Sequence, residues 1–354
     1  MIGTFVRTFL IVLVLALVAS WAVPRYILEP KHRSTEECLE KLDAVPIAST
    51  GLFVEPDDAY DPVINEIDEA HCEINLSIYL LTDQVVLDAL GDAKGRGVRV
   101  RVQLEEEPFG GGWAANVDTS AWLSDHNIAW QWTPDRFTYS HAKYMVIDRQ
   151  VAIVMNQNLT GSAFDQNREF GLITTEPIRV GEAFQVFESD WNNTSLDAPL
   201  SEIVTSPANS WQIMTSLITE STESVDFYAE VIRDDGFIAT LIDAEQRGVQ
   251  VRLIVNESDD PEDAEVYIRL SNAGVEIRFS GRLYIHSKAM IFDDRIVFIG
   301  SQNPTTNSFE NNREVGLVED DPIVLVRVID VFARDWAMAV PASPEGASPV
   351  DISY

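Results

Sequence analysis

The sequence predicts a mixed α/β chain of two repeated halves. The first observation behind this is an eight-residue segment that recurs. His141-Ala-Lys143-Tyr-Met-Val-Ile-Asp148 returns 145 residues later as His286-Ser-Lys288-Ala-Met-Ile-Phe-Asp293. The second is that the same spacing carries Asn158 onto Asn303, Asn167-Arg168-Glu169 onto Asn312-Arg313-Glu314, and Phe187, Asp190 and Trp191 onto Phe332, Asp335 and Trp336. The third is upstream, where Ala93 to Arg101 resembles Ala244 to Arg252 at a slightly longer spacing. A register kept over so many residue types is a duplication.

Each half reads in the same order. An alternating apolar segment (Ile74 to Leu81; Val225 to Val231) precedes a helical stretch closed by Arg-Gly-Val. The glycine there supplies a left-handed cap. A β-branched strand follows (Val98 to Leu104; Val249 to Val255), then a helix (near Ala121 to Asp125; Glu262 to Ser271) and a short strand (Ile128 to Trp132; Val275 to Phe279). After the recurring segment, itself read as a strand, each half ends in an amphipathic helix carrying Phe-x-x-Asp-Trp. The first repeat is expected over 45–200 and the second over 201–340, with turn-forming composition between them. Residues 341–354 read as a disordered tail.

The N-terminus, 1–28, reads as a hydrophobic anchor or a signal peptide. Its uncharged run TFLIVLVLALVASWAVP lies between Arg7 and Arg25, at the short edge of a membrane span. Basic residues after the run favour a body on the cytoplasmic side, whereas a single N-terminal hydrophobic segment more commonly sends the body outward. The outward side is the expectation, with the protein membrane-anchored or secreted and monomeric.

Composition narrows the class further. With 57 acidic residues against 25 basic ones, the net charge is −32. Such a surface stays hydrated in concentrated salt, where the Debye length falls to about 3 Å and self-repulsion fades. It also lacks the broad basic field of nucleic-acid binders. The two cysteines, Cys38 and Cys72, allow one disulfide at most, and the reading favours buried or tolerated thiols. Trp113, Trp122, Trp130 and Trp132 read mainly as core, with a lipid-facing rim as the alternative.

The recurring segment carries the chemistry. On a strand, His141 and Lys143 share one face while Asp148 faces the other, and likewise His286, Lys288 and Asp293. Two imidazoles and two ammoniums meeting across a pseudo-twofold axis suit an anionic phosphodiester. The lysines neutralise its oxygens, one imidazole attacks phosphorus and the other protonates the leaving oxygen. Asn158 and Asn303 add neutral donors, and Glu169 and Glu314 are placed to fix each imidazole's tautomer. Lysine is not a usual metal ligand and no carboxylate falls on the histidine face, so no metal and no cofactor is expected.

These residues, H-x-K-x4-D twice, resemble the signature of the phospholipase D superfamily. The second copy is complete, with Gly300-Ser301-Gln302-Asn303 and Glu314 beyond it. The first departs from it, with Met155-Asn156-Gln157-Asn158 where the family has Gly-Ser-x-Asn. Asn156 can still donate a hydrogen bond, so altered rate or substrate fit is expected rather than inactivity. The resemblance spans about residues 50 to 340 and implies a phospholipase D-like fold, with two repeated α/β/α sandwich halves related by a pseudo-twofold axis and one active site between them, and a two-step, metal-free mechanism. By that similarity His141 is the nucleophile and His286 the general acid, and the pseudo-symmetry permits the reverse. Lys143, Lys288, Asn158 and Asn303 bind phosphate, while Asp148, Asp293, Asn156 and Ser301 are supporting residues.

The resemblance does not choose the diester. The hydrophobic segment and the acidic body favour phospholipid, with water or an alcohol as acceptor. The alternatives are a DNA or RNA nuclease, with Arg99, Arg101, Arg168, Arg252 and Arg313 lining a local basic groove, and an inactive membrane-tethered binding protein.

Overall fold

The computed structural model describes residues 35–43, 48–196 and 199–342. The N-terminal hydrophobic run and the tail beyond residue 342 lie outside the described residues. Among the described residues no helix is long and apolar enough to cross a membrane.

Two mixed sheets are built on the same plan. In the first half, β1 (Thr50–Glu55), β2 (Glu73–Ile78), β3 (Arg99–Leu104), β4 (Ala129–Trp132), β5 (Tyr144–Ile147), β6 (Val151–Met155) and β7 (Asn167–Thr174) lie in the order 1-7-6-5-2-3-4. In the second, β8 (Ile203–Ser206), β9 (Ser224–Ala229), β10 (Gln250–Val255), β11 (Glu276–Phe279), β13 (Lys288–Phe292), β14 (Ile296–Gly300) and β15 (Glu314–Glu319) repeat it as 8-15-14-13-9-10-11. Two short strands, β12 (Tyr284–Ile285) and β16 (Val340–Pro341), complete the set. The expected strands and helices lie within these elements to a few residues. The main difference is a longer helix, Trp113–Asp125, where only its last turn was read.

Local chemistry explains the elements. Every residue of β2 is buried, as expected of a strand covered on both faces. The helix after it, Gln84–Gly95, is capped by Asp83, which accepts from the amides of Val85 and Val86. Its counterpart Asp235–Gln246 is capped by Asp234 through Phe237. Gly97 and Gly248 take φ of 97° and 93° in the following turns, a conformation that costs other residues steric strain.

Each half has a core of its own beneath its outer helices. A third core lies between the sheets, joining Val54, Tyr144 and Phe170 of one half to Tyr228, Ile291 and Val315 of the other. The terminal helices Pro177–Trp191 and Pro322–Met338 pack into this shared core through Val186 and Phe187, and through Phe332 and Trp336. The halves therefore bury apolar surface against each other, and their relative placement is fixed by packing.

Several expectations are corrected here. Cys38 and Cys72 form a disulfide, with Cα atoms 5.7 Å apart, tying the short helix Thr35–Leu39 to the start of β2. Pro341 is the end of a strand, since Val340–Pro341 pairs with β11 and the Ala342 amide donates to Ile277. The five arginines assigned to a basic groove are all spent on carboxylates. Arg99 pairs with Glu73, Arg101 with Glu188, Arg168 with Asp335, Arg252 with Asp226 and Arg313 with Asp190. Of the four tryptophans, Trp130 and Trp132 pack edge to face on the first core, while Trp122 stacks on His126.

Candidate active site

The site is assembled by exchange between the halves. The backbone just before each motif histidine pairs with the Asn-Arg-Glu segment of the other half. Ser140 bridges to Arg313, and the His141 amide donates to the Arg313 carbonyl at 2.8 Å. On the other side β12 runs parallel to β7, with Ile285 opposite Arg168. Each histidine therefore sits in the lead-in to its strand, His141 three residues before β5 and His286 two residues before β13, and not within the strand itself. The aspartates depart from strand alternation too. Asp148 and Asp293 lie past the strand ends at φ of 52°, where their carboxylates accept backbone amides from 71–73 and 222–224. They fix the turn and the neighbouring strand, at a distance from the reacting groups.

The same exchange pairs each imidazole with the carboxylate of the opposite half. His141 Nδ1 lies 2.9 Å from Glu314 Oε2 in a hydrogen bond. His286 Nδ1 lies 2.7 Å from Glu169 Oε1, a close contact that is off-line for a hydrogen bond. Both pairs leave Nε2 as the ring nitrogen facing the site. The two carboxylates are supported differently. Glu314 accepts from Ser308 and Asn312, whereas Glu169 accepts from Asn167 and leaves its other oxygen buried without a partner.

Lys143 and Lys288 are completely buried, and each ammonium donates to the carbonyl of its own motif histidine. Burial, reinforced by the facing Lys288 charge, holds Lys143 well below the ordinary amine range. Burial also pushes the His141 imidazole down to about 4, with Glu314 pulling upward and Lys143 adding to the fall. Burial works against the charged form of Glu314 as well, but His141 and Lys143 more than offset it and keep it below the usual carboxylate value. A site that keeps His141 neutral holds a free imidazole lone pair for nucleophilic attack.

Asn158 and Asn303 follow β6 and β14, and the side-chain oxygen of each has no partner. The altered first motif proves to be a substitution within the scaffold. Asn156 Oδ1 accepts the Phe170 amide at 2.7 Å, as Ser301 Oγ accepts the Val315 amide at 3.1 Å. Both side chains are buried, and both pin the next strand to the asparagine loop.

One site residue was absent from the sequence reading. Glu230, at the end of β9, contacts Lys288 Nζ at 2.5 Å, Asn303 Nδ2 at 3.2 Å and His286 Nε2 at 3.8 Å. Burial disfavours its charge, but Lys288 and His286 hold it well below the usual carboxylate range. The signal lay in the repeat itself, because the upstream register that aligns Ala93 with Ala244 sets Tyr79 opposite Glu230. Tyr79 packs edge-on against His141 at 4.8 Å, with Lys143 Nζ 5.0 Å from its ring centre.

Comparison with known proteins agrees with this geometry. The family model described as "Cardiolipin synthase, PLD-like domain" matches twice, at 63–191 and 214–336. A cardiolipin synthase of Staphylococcus aureus is 21% identical over 333 residues, covering 81% of this chain and 67% of the relative. Among solved structures, phosphatidylserine synthase of Haemophilus influenzae matches with a TM-score of 0.64 at 12% identity, over 87% of this chain and 91% of that one. Polyphosphate kinase of Porphyromonas gingivalis matches with a TM-score of 0.65 at 20% identity, over 81% of this chain and 50% of that one. These two neighbours establish the fold, and the doubled family match establishes descent. The chain belongs to the phospholipase D superfamily, as a phospholipase D-like enzyme of phosphodiester chemistry whose two halves each carry the cardiolipin synthase, PLD-like domain.

Proposed function

We propose that the protein is a phosphatidyl transferase or phospholipase D acting on membrane phospholipid through a phosphohistidine intermediate. The observation that carries the mechanism is the crossed pairing of His141 with Glu314 and of His286 with Glu169, which leaves two Nε2 atoms for one phosphate.

In the first step the His141 Nε2 lone pair forms a bond to phosphorus as the bond to the head-group oxygen breaks. That oxygen takes a proton from His286 Nε2. In the second step water or an alcohol gives its proton to His286 Nε2, and its oxygen bonds to phosphorus as the P–N bond breaks. Lys143, Lys288, Asn158 and Asn303 hold the non-bridging oxygens and meet the negative charge that builds on them.

Three observations support lipid over nucleic acid. The relatives that match over most of the chain are named cardiolipin synthases. Arg168, Arg252 and Arg313, read as candidates for a nucleic-acid groove, are paired internally. Near the site Phe109 is 83% exposed, and its amide donates to the Tyr79 hydroxyl, offering an apolar group to a lipid surface. The Cys38–Cys72 disulfide supports a body on the oxidising side of the membrane, held there by the N-terminal segment.

The test offers the full chain phosphatidylglycerol and phosphatidylcholine vesicles beside single- and double-stranded DNA, at low and molar salt. Head-group release that disappears in both His141→Ala and His286→Ala is the expected result. DNA cleavage with lipid untouched would replace the lipid reading with the nuclease one.

A further inference from the structure

The two halves of the site differ most where Tyr79 faces Glu230. In the first half the motif lysine is buried, held by a backbone carbonyl and faced by an aromatic ring. In the second half the equally buried Lys288 has the same carbonyl, and a carboxylate is added. Holding a buried lysine therefore does not by itself call for Glu230. A carboxylate beside the groups that bind phosphate is also costly, since it competes with the anionic substrate for Lys288 and Asn303. Its presence there has to be matched by something it gains when substrate is bound.

The geometry indicates what that is. A head-group oxygen that takes its proton from His286 Nε2 sits within about 3 Å of that nitrogen. Glu230 Oε2 is 3.8 Å from the same nitrogen. A hydroxyl or ammonium on the carbon next to the one bearing the reacting oxygen then folds back within hydrogen-bond reach of the carboxylate. The side chain is still 18% exposed, so it can be approached from the mouth. Tyr284, half exposed at the rim, faces the same carboxylate, which together with burial pushes its phenol up to about 12.

We propose that Glu230 reads the head group, accepting a hydrogen bond from a hydroxyl or ammonium carried next to the reacting oxygen. On this account the site takes polyols and amino alcohols in preference to plain alcohols. The proposal rests on His286 handling the head-group proton. Because the incoming alcohol gives its proton to that same nitrogen, one preference governs both the group released and the group accepted.

The experiment measures transfer from phosphatidylglycerol vesicles by the full chain to deuterated glycerol, ethanolamine and 1-propanol; the label separates the glycerol product from the donor, and 1-propanol lacks the adjacent heteroatom. Wild type is expected to favour glycerol and ethanolamine over 1-propanol by about tenfold or more, a gap of roughly 1.4 kcal/mol. Glu230→Gln should lose most of the preference for ethanolamine, and Glu230→Tyr, which copies the first half, should lose both preferences. Ratios between acceptors are unaffected by a misfolded fraction, which lowers all products alike. Ratios unchanged in both variants, or a wild type that transfers to all three alcohols equally, would overturn the role of Glu230 and leave phosphatidyl transfer standing. A wild type that forms no product with any alcohol and releases no head group would overturn the underlying reading, and this proposal with it.

Discussion

His141 and Glu314 lie 173 residues apart in the chain and meet at 2.9 Å across the junction of the two halves. The reciprocal contact, His286 with Glu169, is made the same way. Neither half can therefore orient its own histidine, which gives a physical reason for one site per duplicated chain.

The crossing predicts which histidine each glutamate controls. Glu314→Gln removes the charge that favours the His141 imidazolium, so His141 should titrate still lower. Glu169→Gln, on the same half as His141, should leave the His141 titration in place. Imidazole NMR against pH checks both assignments. Activity should fall about 10- to 100-fold in each variant, the usual cost of losing a partner that orients a functional histidine. A shift in the histidine of the same half would contradict the crossed arrangement.

The depressed His141 predicts the acid limb of the rate profile. With its pKa at about 4, the imidazole stays neutral well below the 6.5 of a free histidine. The acid limb of kcat/KM should accordingly fall below about pH 5. A limb near 6.5 that follows His141 would contradict a buried, neutral nucleophile.

A stability prediction follows from Glu55, which lies opposite Glu169 in the β1–β7 ladder. It is fully buried, its carboxylate draws on no more than the nearby Ala59 amide, and burial with the nearby Asp58 pushes it up to about 8. The folded state keeps this proton between about pH 4.5 and 8, where the unfolded chain has released it. Glu55 therefore costs stability increasingly as pH rises through that window. Glu55→Gln should lie close to wild type near pH 5 and exceed it by about 3–5 kcal/mol at pH 9, read from denaturant melts. An equal difference at both pH values would contradict the sign.

The Phe-x-x-Asp-Trp helices predict a coupling between halves. Asp190 takes Arg313 in two hydrogen bonds, and Asp335 takes Arg168 likewise. Asp190→Ala leaves the buried Arg313 charge uncompensated and should cost about 3–5 kcal/mol. A double-mutant cycle with Arg313→Ala should recover much of that loss. Additive losses would show that the pair does not couple the halves.

The duplication, the two sheets and most helices were legible because their signals are periodic and occur twice. Asp148 and Asp293 were legible as important, but alternation along an ideal strand misplaced them, since both terminate the strand in a left-handed turn. The crossing of Glu169 and Glu314 was invisible because spacing along a chain does not say which half a side chain faces. The disulfide was missed because two cysteines carry no pattern, and their pairing depends on where the short helix Thr35–Leu39 docks. Glu230 escaped because a search for what the halves share passes over a residue that occurs once.

On the proposed mechanism, one composite site links His141 covalently to the phosphatidyl group. Its most direct test is intact-protein mass spectrometry of an acid-quenched, millisecond reaction of the full chain with a short-chain phosphatidylglycerol. One phosphatidyl group per chain is expected, mapped to His141 and absent from His141→Ala. Two adducts per chain, or an adduct that survives in His141→Ala, would contradict it.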